Sequence, residues 1–228
     1  MSVVWLAKDE LMPTIKKVLK PVNIVMDIGC GIGPQAYFRP NVHICCEPFD
    51  EYIRVLQKKI ELENDRHYII IKATWQEVVN IFPLQSVDTI ILSDVIEHLE
   101  KEEAKRLLTM TENIARIQIA VFTPLGFLPQ KHPDGIDNWN LHGADWQEHR
   151  SGWLPEDFDP SWEIFASKEY HFADPKGNVF PRPFGAFWAV KNLSKSRPVF
   201  SKRIKIHLWV DKIINSWISL RGRFKRRQ

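Results

Sequence analysis

The chain has 228 residues, of which 44% are hydrophobic and 26% charged, a balance that excludes a disordered or fibrous protein. It contains no run of about 18 consecutive apolar residues, which excludes a transmembrane helix. The net charge of +3 hides an asymmetry: residues 191–228 hold 12 Lys or Arg against one acid, Asp211, so that segment carries +11 and residues 1–190 carry −8.

The opening residues MSVVWLAKDELM lack the basic start, apolar middle and small-residue cleavage site of a secretory signal, so a cytoplasmic protein is expected. Cys30, Cys45 and Cys46 have no metal-ligand spacing and are odd in number. They predict neither a disulfide framework nor a zinc site, and fit a reducing compartment.

Along the chain, Glu10 to Lys20 reads as a helix with Leu11, Ile15, Val18 and Leu19 on one face, ended by Pro21. Asn23–Ile28 is a short apolar run cut off by glycines, the pattern of a buried parallel strand. Similar runs recur at Val42–Cys46, Tyr68–Ile71, Thr89–Leu92 and Ile117–Phe122, with helical patterns at Asp50–Leu62, Trp75–Phe82 and Glu100–Ile114 between them. This alternation predicts an α/β fold with a Rossmann-like, doubly wound, mainly parallel sheet. Residues 123–154 are too long for an ordinary connection and read as a lid-like or binding loop. Trp162–Phe172 and Phe184–Val190 then read as an antiparallel pair at the sheet edge.

The sequence thus divides into a domain over residues 1–192 and a basic segment over 193–228. From Lys202 to Leu220 a helical projection puts Ile206, Trp209, Val210, Ile213, Ile214, Trp217 and Leu220 on one side. This C-terminal amphipathic helix fits an anionic membrane surface through residues 202–228, peripheral at the inner face; packing on the domain or in a dimer is the alternative. Nucleic acid fits less well, because the body is acidic and no Asn/Asp-Pro-Pro-aromatic signature follows the fourth strand.

The chemistry centres on Asp27-Ile28-Gly29-Cys30-Gly31-Ile32-Gly33. A strand opening into three spaced glycines places unhindered backbone against a ligand at the carboxyl end of the sheet. A helix is expected to start near Pro34, a residue suited to a first turn. Glu47 ends the second strand, where an acid can accept hydrogen bonds from both hydroxyls of a ribose. The G-x-G-x-G spacing, preceded by an acid, disfavours a pyrophosphate and suits a cationic, amino-acid-bearing cofactor. A nucleotide-dependent oxidoreductase is disfavoured on the same ground.

With Asp27–Gly33, Glu47 and the fourth-strand stretch Asp88–Leu99, residues 20–190 resemble the class I S-adenosylmethionine-dependent methyltransferases. More narrowly, Pro34-Gln35, His43–Pro48, Pro124–Gln130 and Gln147–Trp153 look like small bacterial methyltransferases that modify surface polysaccharide or lipid. The resemblance implies S-adenosyl-L-methionine as cofactor, held by Asp27, Gly29, Cys30, Gly31, Gly33, Glu47, Pro48, Ser93, Asp94, Val95 and His98. The family's adenine-binding Asp after the third strand is replaced by Lys72-Ala73-Thr74-Trp75, which moves that contact to Thr74, to backbone or to Trp75. The acceptor implied is a small molecule, a glycan or a lipid-linked intermediate.

Transfer from a sulfonium needs alignment above all, and a base only for a weakly acidic hydroxyl. His132, Asp134, Asp137, His142, Asp145 and His149 are the candidates, with His149 preferred and His132 next. The same three His and three Asp could hold a divalent ion, but their spacings match no motif and no metal site is assigned. Trp139, Trp146 and Trp153 recur every seven residues, either to offer flat faces to an acceptor or to pack the loop down. A methyltransferase fold serving only as a binding or adaptor module stays open.

Overall fold

The computed structural model describes residues 2–62, 67–174 and 177–193. The amphipathic helix expected at 202–220 and the basic tail lie outside the described residues. The elements run β1 (Val3–Trp5), α1 (Lys8–Val18), β2 (Ile24–Ile28), β3 (Val42–Glu47), α2 (Asp50–Leu62), β4 (Tyr68–Lys72), α3 (Trp75–Ile81) and β5 (Val87–Ser93). After them come α4 (Lys101–Ile114), β6 (Ala115–Leu125), α5 (Ala144–Gln147), β7 (Trp162–Ala173) and β8 (Val179–Asn192).

The eight strands form one sheet in the order β1-β7-β8-β6-β5-β2-β3-β4. β2 to β6 are mutually parallel, β8 is antiparallel to both β6 and β7, and β1 lies parallel to β7. The antiparallel pair forms as expected, and the short β1, which the sequence did not announce, extends the sheet beyond it.

The alternation of side chains along each strand builds two apolar layers. Ile90 and Leu92 face a core shared with Val78 of α3 and with Ala104, Leu107 and Ile114 of α4. Ile91, between them, faces the opposite core with Leu11 and Ile15 of α1 and Trp188 of β8. Leu56 of α2 packs with Cys30 and Cys45. All three cysteines are free and buried.

The chain passes from β2 outward to β3 and β4, then returns to β5 on the other side of β2. A crevice therefore opens at the carboxyl ends of β2 and β5, where strand order reverses and ligands of such sheets sit.

One expectation fails here. No helix begins near Pro34; residues 29–41 connect β2 to β3 as an irregular loop. The backbone donors are claimed by side chains: Gln35 N–H by Asp27 Oδ2 at 2.8 Å and Tyr37 N–H by Gln35 Oε1 at 2.7 Å. Pro40 allows no further helical turn before β3.

Asp88 also takes a different place from the rest of the Asp88–Leu99 stretch. It stands at the amino end of β5, away from the crevice. There its carboxylate accepts from the N–H groups of Asn23 and Ile24, at 3.1 and 2.9 Å, and pairs with Arg116. Its work is to hold β2, β5 and β6 in register.

Candidate cofactor cleft and active site

The glycine loop is shaped by backbone that only glycine adopts readily. Gly29 and Gly31 have φ of +70° and +56°, in the left-handed region. A Cβ on Gly29 would meet Val95 Cγ2 at 2.9 Å, and one on Gly31 would meet the Trp139 ring at 2.5 Å. Gly33 lies outside that region, and a Cβ there would meet only Lys59 Nζ at 3.5 Å, so its backbone does not require glycine. Gly29 N–H donates to the Cys46 carbonyl at 2.8 Å, fastening the loop to the end of β3.

Glu47, the last residue of β3, is 4% exposed. Its Oε2 accepts from Gly31 N–H and its Oε1 from Phe49 N–H, each at 2.9 Å. One bond per oxygen leaves each with a further lone pair. Burial pushes the carboxyl up to about 7, against the pull of the Phe49 and Gly31 amides and with a further push from the charge of Asp27. Asp27 is buried, within 3.6 Å of His43 Nε2, and its Oδ2 is committed to Gln35.

A cleft of about 980 Å³ opens above these residues. All thirteen residues assigned to the cofactor from sequence stand on its wall, and so do His132 and His149. Thr74 caps α3: its Oγ1 accepts from Glu77 N–H at 3.4 Å and donates to Glu77 Oε2 at 2.9 Å. That leaves its hydroxyl committed, whereas the buried Trp75 Nε1–H beside it has no partner. Asp94, at φ +53°, turns the chain sharply at the end of β5.

Residues 128–150 carry the loop's contribution to the cleft wall, and the loop is ordered by its own polar groups. Asp137 accepts four hydrogen bonds, from Trp139 N–H (2.8 Å), Leu141 N–H (2.9 Å), Gly143 N–H (3.2 Å) and Tyr52 Oη (2.5 Å). The last of these ties the loop to α2. Burial and the Asp137 carboxylate together push the Tyr52 hydroxyl far up, so it stays a donor. At the far end, Arg150 N–H and Ser151 N–H both donate to the Glu97 carbonyl, at 2.8 and 3.1 Å.

The three tryptophans divide. Trp153 is fully buried in the core, whereas Trp139 and Trp146 are 41% and 45% exposed and face the cleft. Among the other loop candidates, Asp137 is structural and His142 pairs with Glu51 at 3.2 Å. Neither these two nor Asp134 or Asp145 lines the cleft.

Two imidazoles meet where the loop crosses the end of β5. His98, in the single helical turn Ile96–His98, and His149 stand edge to face, centroids 4.9 Å apart. Each Nδ1 faces a carbonyl: Glu148 O at 3.1 Å for His98, and Leu128 O at 2.6 Å for His149. A nitrogen so placed must carry the proton, so each neutral ring points a bare Nε2 lone pair away from that carbonyl. Burial pulls the His98 imidazole down to about 4 and lowers His149 as well.

Glu97, 2% exposed, accepts from Thr123 Oγ1 at 3.0 Å through Oε2, while Oε1 has no partner. Burial, and then the charge of Asp94, raises its carboxyl. One donor atom from each of Glu97, His98 and His149 lies within 4.8 Å of the other two. His132 also lines the cleft, and both of its ring nitrogens are buried without a partner.

Sequence reasoning did not select Glu97, although it lay inside the stretch Asp88–Leu99. An acid flanked by Ile96 and His98 at an apolar strand end was the available signal. Tyr37, also on the cleft wall, carries no motif or spacing that marks it in the sequence.

No family model matches this sequence, and no curated protein matches it. Among solved structures the chain is similar to TehB from Haemophilus influenzae, with a TM-score of 0.54 and 17% identity over 79% of this chain and 61% of that one. It thus spans less than two thirds of TehB. It is also similar to magnesium protoporphyrin IX methyltransferase (ChlM) from Synechocystis PCC 6803 with bound SAH, at TM-score 0.49 and 15% identity over 82% and 81% of the two chains. A SAM dependent methyltransferase from Archaeoglobus fulgidus gives 0.46 and 15% over 79% and 94%. At these identities the likeness concerns fold alone. The fold shared with TehB is a Rossmann-like, mainly parallel α/β sheet.

Proposed function

We propose that the protein is an S-adenosylmethionine-dependent methyltransferase acting on a hydroxyl of a small-molecule, glycan or lipid-linked acceptor. The observation that carries this reading is Glu47: a buried carboxylate at the end of β3, braced by Gly31 and Phe49, with one lone pair spare on each oxygen beside the loop Gly29–Gly33. Such a carboxylate suits a ribose diol, and the left-handed Gly29 and Gly31 let Val95 and Trp139 close against the loop at the cleft wall.

S-Adenosylmethionine, when bound, supplies an electrophilic methyl group on a sulfonium that leaves as a neutral thioether. The remaining work falls to the chain. Glu47 holds the ribose; Ser93, Asp94 and the glycine loop surround the methionine end; and Trp75, on the cleft wall with its indole N–H unpartnered, serves the adenine side. Trp139 and Trp146 offer flat apolar faces to a sugar ring or an aliphatic chain, and help to exclude water from the cleft. His149, bound through Nδ1 and facing His98, is held for positioning. His132, with both ring nitrogens uncommitted, takes the acceptor's hydroxyl proton.

Residues 193–228 form the second part of this reading, a basic amphipathic segment that brings the domain to an anionic membrane surface carrying a lipid-linked acceptor. Its support is the charge of +11 on residues 191–228 and the apolar stripe from Ile206 to Leu220.

Titration calorimetry with S-adenosylmethionine, S-adenosylhomocysteine and NAD tests the cofactor assignment. One equivalent of either sulfur compound is expected to bind, with no heat from NAD; a protein silent to both sulfur compounds refutes the reading.

A further inference from the structure

Two imidazoles on the cleft wall, His98 and His149, and the buried Glu97 beside them have a chemistry that methyl transfer from a sulfonium does not call for. Glu97 and His98 come from the end of β5, and His149 comes from the loop that crosses it 51 residues later in sequence. The backbone itself locks the two elements together, through the pair of amides from Arg150 and Ser151 on the Glu97 carbonyl.

What these side chains present to one another is a set of lone-pair atoms: two imidazole nitrogens and a buried carboxyl. Both imidazoles spend their N–H on a backbone carbonyl, the arrangement that fixes the tautomer of metal-ligating histidines. Glu97 spends one oxygen on Thr123 and buries the other with no partner. A carboxyl oxygen buried without a donor in a residue that is 2% exposed is costly unless a proton or a cation meets it, and the imidazole lone pairs beside it favour the cation.

We infer that Glu97, His98 and His149 bind a divalent transition-metal ion that holds the acceptor hydroxyl. Two imidazoles and one carboxylate suit Zn²⁺, Mn²⁺ or Fe²⁺ better than Mg²⁺ or Ca²⁺, which prefer all-oxygen shells. Ligands about 2.0–2.2 Å from one ion stand roughly 3–3.5 Å apart. One possible ligand atom from each of the three residues already lies within 4.8 Å of the others, so side-chain adjustment alone brings the set toward that spacing. Asp94, whose charge reaches Glu97, adds a second acid beside the ion. Three protein ligands leave coordination positions toward the cleft. An acceptor hydroxyl bound there becomes more acidic, and its proton passes to His132. This role at the acceptor rests on the methyltransferase reading; the ion site itself does not.

The test uses the full chain, stripped with chelator, and titrates it with Mn²⁺ followed by electron paramagnetic resonance and with Zn²⁺ followed by calorimetry. The same preparation is titrated with S-adenosylhomocysteine. One equivalent of ion is expected, with affinity at least tenfold lower in Glu97→Gln and in His149→Gln and with S-adenosylhomocysteine affinity within about threefold of the parent. That retained affinity shows each variant to be folded. No saturable ion binding in protein that binds S-adenosylhomocysteine overturns the inference, as does ion binding that neither variant weakens. Ion binding lost in both variants, in a parent chain silent to S-adenosylhomocysteine, upholds the ion site and refutes the methyltransferase reading instead.

Discussion

Glu47 is a carboxylate whose surroundings oppose its charge while its function requires it. Burial raises its pKa to about 7, so the free protein holds a proton there over a pH range in which the unfolded chain has released it. The sign for stability follows: this group favours the fold at acid pH, and the benefit is lost as pH rises through about 7. Binding has the opposite sign, since only the ionised carboxylate offers every lone pair to the ribose. The affinity for S-adenosylhomocysteine is therefore expected to rise with pH up to about 7 and then level off. Calorimetry at pH 6 and pH 8 checks this. Glu47→Gln is expected to bind at least tenfold more weakly at pH 8 and to show no such dependence. Glu47 and the glycines were legible because each sits at a strand end, where a short apolar run stops at a polar or flexible residue. The Glu97–His98–His149 cluster was not legible, because its members are brought together by a loop docking on a strand end, which no local spacing encodes.

At the scale of elements, the buried parallel strands were the easiest to read, since both faces are covered and the runs are continuously apolar. α2 was found with its observed bounds, Asp50–Leu62, because its apolar stripe, acidic first turn and basic last turn agree. The helix expected after Gly33 was misread from Pro34, which suits a first turn equally well as a bend. Nothing in the residues alone shows that Asp27 and Gln35 capture the amides a helix would need. β1 escaped because three residues carry no period.

The loop over the cleft was recognisable by length and polarity, and its order depends on one side chain. Asp137→Asn is expected to weaken four hydrogen bonds at once, costing about 1.5–3 kcal/mol of local stability. Limited trypsin digestion reads this at Lys131 and Arg150, which flank the segment. Cleavage there at least tenfold faster, with the global melting temperature little changed, is the expected outcome; an unchanged rate removes Asp137 as the organiser.

For the whole molecule, the acidic domain and the basic segment are opposite in sign, and the proposed division of labour between them can be separated experimentally. Removing residues 202–228 is expected to leave S-adenosylhomocysteine affinity unchanged and to abolish recovery with liposomes containing anionic lipid. Flotation of both forms in about 0.1 M salt measures this, and equal recovery counts against the membrane reading. Within the domain, the loop is anchored very unequally. Trp153 is sunk in the core and its indole N–H donates to Ser151 Oγ at 3.0 Å and to the Ile96 carbonyl at 3.3 Å, whereas Trp139 and Trp146 stand open at the cleft. Substitution is therefore tolerated unevenly along one short stretch. The anchor must persist for the sheet to stay packed, while the open Trp146 ahead of it can vary with little effect on folding. A chain built this way can diverge toward new acceptors through exposed positions such as Trp146, while Gly143, with Tyr52 against it, and Trp139, against Gly31, hold the loop's shape.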